Sequence, residues 1–97
     1  MIEIVLLPAT TADFQSAFNW FEGLKAGLGS AFESEFFAAL ERVKSNPELF
    51  AETASGYRAC RLKRFSAVLY YRISVNAVVI TGLFVNGRDD ATLADRE

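Results

Sequence analysis

The sequence predicts a single α+β domain spanning residues 1–97, in which an antiparallel helical hairpin packs on one face of a mostly antiparallel four-stranded sheet. A short apolar segment comes first, two stretches with apolar residues at helical spacing follow, and three segments rich in β-branched and aromatic residues come last. The length suits one domain, and a hydrophobic content of 52% is too high for a disordered chain. The expected element order is therefore β-αα-βββ, with both helices on one side of the sheet.

The first strand and first helix are indicated by a proline and by aromatic spacing. Met1–Leu7 predicts a strand, in the sheet centre or at an edge, and Pro8 ends it because proline cannot continue a ladder. Thr10 or Thr11 can cap the helix, and Thr10 with Asp13 approximates a capping box. The segment Ala26–Gly29 is expected to break the helix. The stripe expected to face the core comprises Phe14, Ala17, Phe18, Phe21, Leu24 and Leu28.

The second helix has start and stop signals of its own. Ser30 and Glu33 form another capping-box pattern, with a slightly earlier start of the helix as the alternative. Asn46-Pro47 ends the helix because the residue before proline avoids the α region. Its apolar face comprises Phe32, Phe36, Leu40 and Val43. We expect the aromatic stripes of the two helices to form core, and no cofactor is expected.

The rest of the chain predicts a loop, three strands and a short tail. The loop is expected over Glu48–Gly56, the strands over Arg58–Lys63, Val68–Ser74 and Ala77–Val85, and a polar tail with one helical turn over Ala91–Glu97. In the middle strand, Leu69, Tyr71 and Ile73 should share one face, and Val68, Tyr70 and Arg72 the other. The last strand is almost wholly apolar, as expected of a central strand covered on both sides.

Charge is divided unevenly along the chain. Residues 1–56 carry three basic and eight acidic side chains, a net −5, whereas residues 57–97 carry seven and four, a net +3. The cations of residues 57–97 fall on predicted strands, so we expect a positive sheet face that binds an anionic partner. The alternative is that these cations only line solvated strand faces. The stretch Tyr57–Arg88 has no acidic residue and holds Arg58, Arg61, Lys63, Arg64, Arg72 and Arg88.

Missing residue types exclude several kinds of chemistry. The chain has no His, so it cannot form a Ser-His-Asp triad or a His-ligated metal site, and no metal is expected.

The apolar runs reach only about ten residues, against the ~20 that a membrane-spanning helix needs. Met1–Leu7 lacks the positive n-region and the cleavage site of a signal peptide. Cys60 is the single cysteine, so it cannot form an internal disulfide, which fits a reducing compartment. We therefore expect a cytoplasmic location.

Six short motifs follow one another in a particular order. They are Trp20-x-Glu22, Gly27-Leu28-Gly29-x-x-Phe32, Asn46-Pro47-x-x-Phe50, Arg61-Leu62-Lys63-Arg64-Phe65, Tyr70-Tyr71-Arg72-Ile73 and Arg88-Asp89. In order and spacing they resemble the plasmid-stabilisation branch of the RelE/ParE toxin superfamily, over roughly residues 1–92. This resemblance implies the same β-αα-βββ fold.

The resemblance also implies a function and a partner. Members of the superfamily are toxins of type II toxin–antitoxin pairs. One branch enters the ribosomal A site and cleaves mRNA, and another inhibits DNA gyrase without RNA chemistry. In both, a small cognate antitoxin wraps the toxin and neutralises it. An antitoxin is therefore the expected partner, and the toxin alone is not expected to recognise a DNA sequence.

The residues favour the ParE-like branch, in which the chain binds gyrase and is not an enzyme. Positions matching the cations and acid of a nuclease are Arg61, Lys63 and Arg88, with Tyr70 or Tyr71 as the acid. Val68, however, stands where the family has an Arg, and Asn86 stands where relatives often have His. Asp89 and Asp90 would weaken phosphate binding by Arg88, and a pI near 5.1 gives no strongly positive field. The alternatives are an mRNA endonuclease and a detoxified homologue that only binds an antitoxin.

Two kinds of surface are expected to contact the antitoxin. Acidic antitoxin side chains would pair with the six cations of Tyr57–Arg88. An amphipathic antitoxin helix would lie on apolar surface near the helical hairpin, or a strand would add to a free sheet edge. Trp20 and Phe37 lie off the core stripes and are candidates for the apolar contact. The alternative for both is burial beneath the loop Glu48–Gly56.

Overall fold

The predicted element order is confirmed by a computed structural model, which describes residues 2–85 and 90–97. The elements are β1 (Glu3–Leu6), α1 (Pro8–Leu24), α2 (Leu28–Ser45), β2 (Arg58–Arg61), β3 (Ala67–Ile73), β4 (Ala77–Val85) and a 3-10 helix (Asp90–Arg96). Among the described residues, no helix is long and apolar enough to cross a membrane. We call the 3-10 helix together with Glu97 the tail segment.

The four strands form one sheet in the order β1-β4-β3-β2. Strand β1 runs parallel to β4, with Glu3 opposite Ala77 and Leu6 opposite Ile80, while β2–β3 and β3–β4 are antiparallel. The first strand was expected in the sheet centre or at an edge, and it lies at an edge. Strand β4 lies inside the sheet, as predicted. The α+β class, with helices packed on a mostly antiparallel sheet, is confirmed.

The core lies between the helices and one sheet face. Phe32 is fully buried, and its ring centroid lies 4.9 Å from that of Phe21 and 5.3 Å from that of Phe65. From the sheet, Leu69, Tyr71, Val78, Ile80 and Leu83 join this cluster. Leu24 was predicted to extend the stripe of α1 but is exposed, because it is the last residue of the helix and the chain turns there. Ile73 ends β3 and is likewise exposed.

A register shift in β4 lets Ile80 and Leu83, which are three residues apart, both join the core on the helix side. Tyr70 pairs with Gly82 and Tyr71 with Ile80, which leaves Thr81 as an extra residue of β4. The buried Thr81 hydroxyl donates to the Tyr70 carbonyl at 3.2 Å. Beyond this bulge, Leu83 faces the helices, and Gly82 lies beneath the tail segment. Both faces of β4 are therefore covered.

The capping box predicted at Thr10 and Asp13 is wrong. Helix α1 already begins at Pro8, where the fixed φ of proline suits the first helical position. Thr10 is therefore inside the helix and fully buried, and its hydroxyl donates to the Ile80 carbonyl at 2.7 Å. The Asp13 carboxylate contacts the tail segment and β4, as described below.

The capping box predicted at Ser30 and Glu33 is also wrong. Helix α2 begins at Leu28, after Gly27 at φ +91°, a left-handed conformation that favours glycine. Two N–H groups at its start are satisfied by a carboxylate from the preceding helix. The two Glu22 oxygens accept from the Gly27 and Gly29 N–H groups, each at 2.9 Å. Glu22 therefore acts as the cap and closes the helical hairpin.

Replacing Glu22 with alanine is expected to lower the free energy of unfolding by about 1–2 kcal/mol, because two helix N–H groups lose their acceptor. Ser30→Ala is the matched control, since Ser30 is exposed and should change stability by less than about 0.5 kcal/mol. Urea unfolding of the two variants measures both values. An equal loss of stability in both variants would indicate that Ser30 also caps α2 and would contradict the role of Glu22.

Candidate partner-binding surface

The sheet face opposite the helices, here called the outer face, carries two of the predicted cations. Arg61 on β2 lies opposite Val68 on β3, and residues directly opposite each other share a face. Arg72 lies on the same side, because alternate residues of a strand point the same way. Tyr70 lies between them along β3. The outer face thus combines two guanidinium groups with a phenol.

Arg58 belongs to the opposite side of the sheet and holds the loop before β2. Its guanidinium donates to the Phe50 carbonyl at 2.7 Å and to the Glu48 carbonyl at 3.2 Å. It also lies 3.6 Å from the Glu52 carboxylate. Its donors are therefore directed at the protein itself, which favours a structural role for Arg58 over the predicted partner contact.

Lys63 and Arg64 lie in the turn between β2 and β3. Arg64 has φ +68°, and its Nε is 3.2 Å from a Glu35 oxygen on α2. Lys63 is exposed. Arg88, the sixth predicted cation, lies outside the described residues, as do Asn86 and Asp89. The five described cations therefore do not share one face.

Arg72 is bound by a carboxylate of the chain itself. Its Nε donates to Glu97 Oε1 at 2.7 Å, and its NH2 group lies 2.6 Å from the same oxygen. The Tyr57 hydroxyl donates to Glu97 Oε2 at 2.8 Å. Hydrogen bonding from Arg72 lowers the pKa of Glu97, and hydrogen bonding to Glu97 raises the pKa of both Tyr57 and Arg72.

The tail segment is anchored on the sheet by two further residues. Leu93 is fully buried, and a Cβ at Gly82 would lie only 2.8 Å from its Cδ2, so the glycine permits close approach. The Arg96 guanidinium binds both Asp13 oxygens, at 2.6 and 3.0 Å, and lies 4.9 Å from the Phe84 ring centroid. The tail, predicted only as a polar helical turn, is thus an integral part of the fold.

The ion pair between Asp13 and Arg96 covers the part of the β4 edge that extends beyond β1. Strand β1 ends opposite Ile80, five residues before the end of β4. Beyond this point the Leu83 N–H donates to Asp13 at 3.1 Å, and Arg96 donates to the Thr81 carbonyl at 3.1 Å. Asp13 and Arg96 therefore satisfy backbone groups of an edge that would otherwise lack partners.

The two tyrosines proposed as a catalytic acid differ in access. Tyr71 is fully buried on the helix side, where its hydroxyl donates to the Pro47 carbonyl at 2.6 Å, and burial raises its pKa to about 12. Tyr70 lies on the outer face, with its ring centroid 5.5 Å from that of Phe84. Tyr71 is therefore closed to solvent, whereas Tyr70 is half-buried on the outer face.

The raised pKa of Tyr71 predicts a loss of stability in alkali. The folded state favours the neutral phenol, so its contribution is complete below the usual pKa of 10 and is lost as the pH rises towards 12. By pH 11 the parent protein should have lost about 1 kcal/mol more than Tyr71→Phe, relative to pH 8. Urea unfolding of both proteins at these pH values measures the difference. If the free energy of unfolding changed with pH equally in both proteins, the raised pKa of Tyr71 would be contradicted.

Trp20 and Phe37, the predicted apolar contacts, are both open to solvent. Their side chains are 52% and 54% exposed, so the alternative of burial beneath the loop at residues 48–56 is wrong. Trp20 packs edge-on against Phe21, and the exposed Leu24 lies one helical turn further along α1. Phe37 lies beside the buried Phe36 on α2. Each helix therefore presents a large apolar side chain outwards.

These features define a class of protein, an α+β domain with a helical hairpin on one face of a four-stranded sheet and a tail segment on the other. A chain of the solved structure described as "Chromosomal ParDE TA system from P. aeruginosa" has this fold, with a TM-score of 0.77 and 13% identity. The match covers 89% of this chain and 98% of that chain. No protein-family model matches the sequence, and no curated protein matches it. The fold that the resemblance implied is thus confirmed, and it is shared with a chain of a ParDE system.

Proposed function

We propose that this chain is a ParE-like toxin of a type II toxin–antitoxin pair, which acts in the cytoplasm by binding DNA gyrase and is neutralised by a cognate antitoxin. The observation that carries the proposal is the fold shared with a chain of a ParDE system, at a TM-score of 0.77 over 98% of that chain. The order of the sequence motifs, from Trp20-x-Glu22 to Arg88-Asp89, supports it independently.

The outer face favours a binding role over RNA cleavage. Cleavage through a 2′-hydroxyl needs a base, an acid and cations around one phosphate. Here Val68 occupies the strand position expected to hold a third guanidinium, Arg72 is already bound by Glu97, and Arg58 contacts loop carbonyls. Arg61 is the exposed cation of the outer face on β2. This set suits recognition of a protein surface.

The exposed aromatic residues favour an antitoxin that contacts the helices. Large apolar side chains such as Trp20, Leu24 and Phe37 are the kind of anchor that dominates a protein interface. An amphipathic antitoxin helix would cover them, and its acidic residues would reach the cations near the turn between β2 and β3. Trp20→Ala and Phe37→Ala should therefore weaken antitoxin binding without unfolding the toxin.

Induced expression in a bacterial host tests the proposal. We expect growth arrest with a DNA-damage response, and rescue when the protein encoded beside this chain is co-expressed. The matched control is Phe32→Ala, whose buried aromatic ring supports the fold. Normal growth at high expression of folded protein would contradict toxicity and favour a detoxified homologue.

A second candidate function is a ribosome-dependent mRNA endonuclease, because Arg61, Tyr70 and Arg72 share the outer face. In that case, ribosome-bound mRNA incubated with the protein would be cut in the A site, and Arg61→Ala would slow cleavage. An intact transcript, together with growth arrest, would exclude this function and leave the gyrase-binding one.

A further inference from the structure

We propose that Tyr57 and Arg72 form a carboxylate-binding site on the outer face, which Glu97 occupies in the free chain and an acidic side chain of a partner protein occupies in its place. The inference rests on the proposed function only for the natural ligand, which would be an acidic segment of the antitoxin. The site itself is a property of the isolated chain and is testable without any toxicity.

The contacts of Glu97 are those of a bound ligand. Arg72 contacts one carboxylate oxygen with two nitrogens, at 2.7 and 2.6 Å, and Tyr57 donates to the other at 2.8 Å. The two oxygens are therefore bound by different groups, one on β3 and the other just before β2. Charge-assisted hydrogen bonds of this length are the strong class. The lowered pKa of Glu97 agrees with binding of the ionised form.

The site is open enough for exchange. The side chains of Arg72 and Glu97 are 42% and 21% exposed, so an incoming carboxylate can approach without any movement of the core. Glu97 follows the 3-10 helix and is attached to the sheet through Leu93 and Arg96. Release of Glu97 alone would leave these two anchors in place.

The geometry favours a carboxylate over a phosphodiester. The donors meet two oxygens of a planar group, with a tyrosine hydroxyl on one side and a guanidinium on the other. Nucleic-acid binding draws on many phosphate contacts and a positive field, whereas this chain has a net charge of −2. A peptide carrying acidic side chains is therefore the ligand that we infer.

Glu97 lowers the apparent affinity of the site because it is tethered. A short tether holds an internal ligand at an effective concentration on the order of mM. A partner carboxylate then binds only the fraction of molecules in which Glu97 is released. Removing the Glu97 charge should raise the affinity for an acidic peptide by roughly two- to fivefold, as exposed ion pairs are individually weak.

Fluorescence anisotropy with a labelled ten-residue polyglutamate peptide tests the proposal on the full chain. Glu97→Gln should bind the peptide roughly two- to fivefold more tightly than the parent protein. Asp95→Asn is the matched control, because it makes the same change in net charge at an exposed position of the same segment, and it should leave the affinity unchanged. Adding Arg72→Gln to Glu97→Gln should abolish the gain.

Two outcomes would overturn the site. An equal gain in Asp95→Asn and Glu97→Gln would show that only net charge matters. A gain for a single-stranded ten-nucleotide thymidine oligomer, with none for the peptide, would make it a phosphate site. Neither outcome bears on growth arrest, so failure of this inference is distinguishable from failure of the proposed function.

Discussion

Arg96→Ala is expected to lower the free energy of unfolding by about 3 kcal/mol, because it leaves the Asp13 carboxylate without its partner in a largely buried position. The two side chains are only 13% and 10% exposed, and two hydrogen bonds join them. The variant also removes the donor to the Thr81 carbonyl at the edge of β4. Urea unfolding monitored by circular dichroism measures the loss.

Arg61→Ala is the matched control for Arg96→Ala. It removes the same side chain from an exposed position of the outer face, so its effect should stay within about 0.5 kcal/mol. A double-mutant cycle between Asp13→Ala and Arg96→Ala should give a coupling energy of about 2 kcal/mol. Additive losses would show that the tail segment does not stabilise the fold through this ion pair.

Phe32→Ala is expected to cost about 3–5 kcal/mol, the range for truncating a buried aromatic side chain. The Phe32 ring is fully buried and packs against Phe14, Phe21 and Phe65. Such a loss is a large share of the stability of a domain this small, so the variant should be partly unfolded at 37 °C. Thermal unfolding measures the shift.

Phe37→Ala makes the same change five residues later on the same helix. Because Phe37 is 54% exposed, this variant should lose less than about 1 kcal/mol. The two variants therefore distinguish a core phenylalanine from an exposed one, since Phe37 should contribute to partner binding and not to the stability of the free chain. Similar losses in both variants would mean that Phe37 supports the core and is not a free contact.

The architecture was predictable because its signals are local. The helical spacing of Phe32, Phe36 and Val43 places these residues in the core, and the apolar run at Ala77–Val85 forms the internal strand. The alternation along β3 likewise separates the buried Leu69 from the outward Arg72. Patterns of period 3.6 and period 2 need no knowledge of distant residues.

The capping and tail contacts were not predictable because they join distant residues. The Asp13–Arg96 pair spans 83 positions, and the Arg72–Glu97 pair spans 25. Thr10 and Asp13 matched a local capping pattern, but Thr10 donates to the Ile80 carbonyl, and Asp13 accepts from Leu83 where β4 extends beyond β1. The excess length of β4 over β1 was the available signal.

The cationic face was only partly predictable for a similar reason. Strand alternation separates Arg58 from Arg61, and the turn before β3 directs Arg64 towards Glu35 on α2. Counting positive charges along Tyr57–Arg88 could not reveal that Glu97 binds Arg72. The set of exposed cations is therefore smaller than the count suggested, and among the described residues of this stretch it comprises Arg61, Lys63 and Arg64.

Inhibition of purified DNA gyrase tests the central claim most directly. Relaxed plasmid, ATP and gyrase are incubated with increasing amounts of the folded protein, and supercoiling is followed on agarose gels. A ParE-like toxin should block supercoiling in a dose-dependent manner, and prior addition of its antitoxin should restore it. Undiminished supercoiling at saturating concentrations of folded protein would contradict the proposed gyrase-binding function.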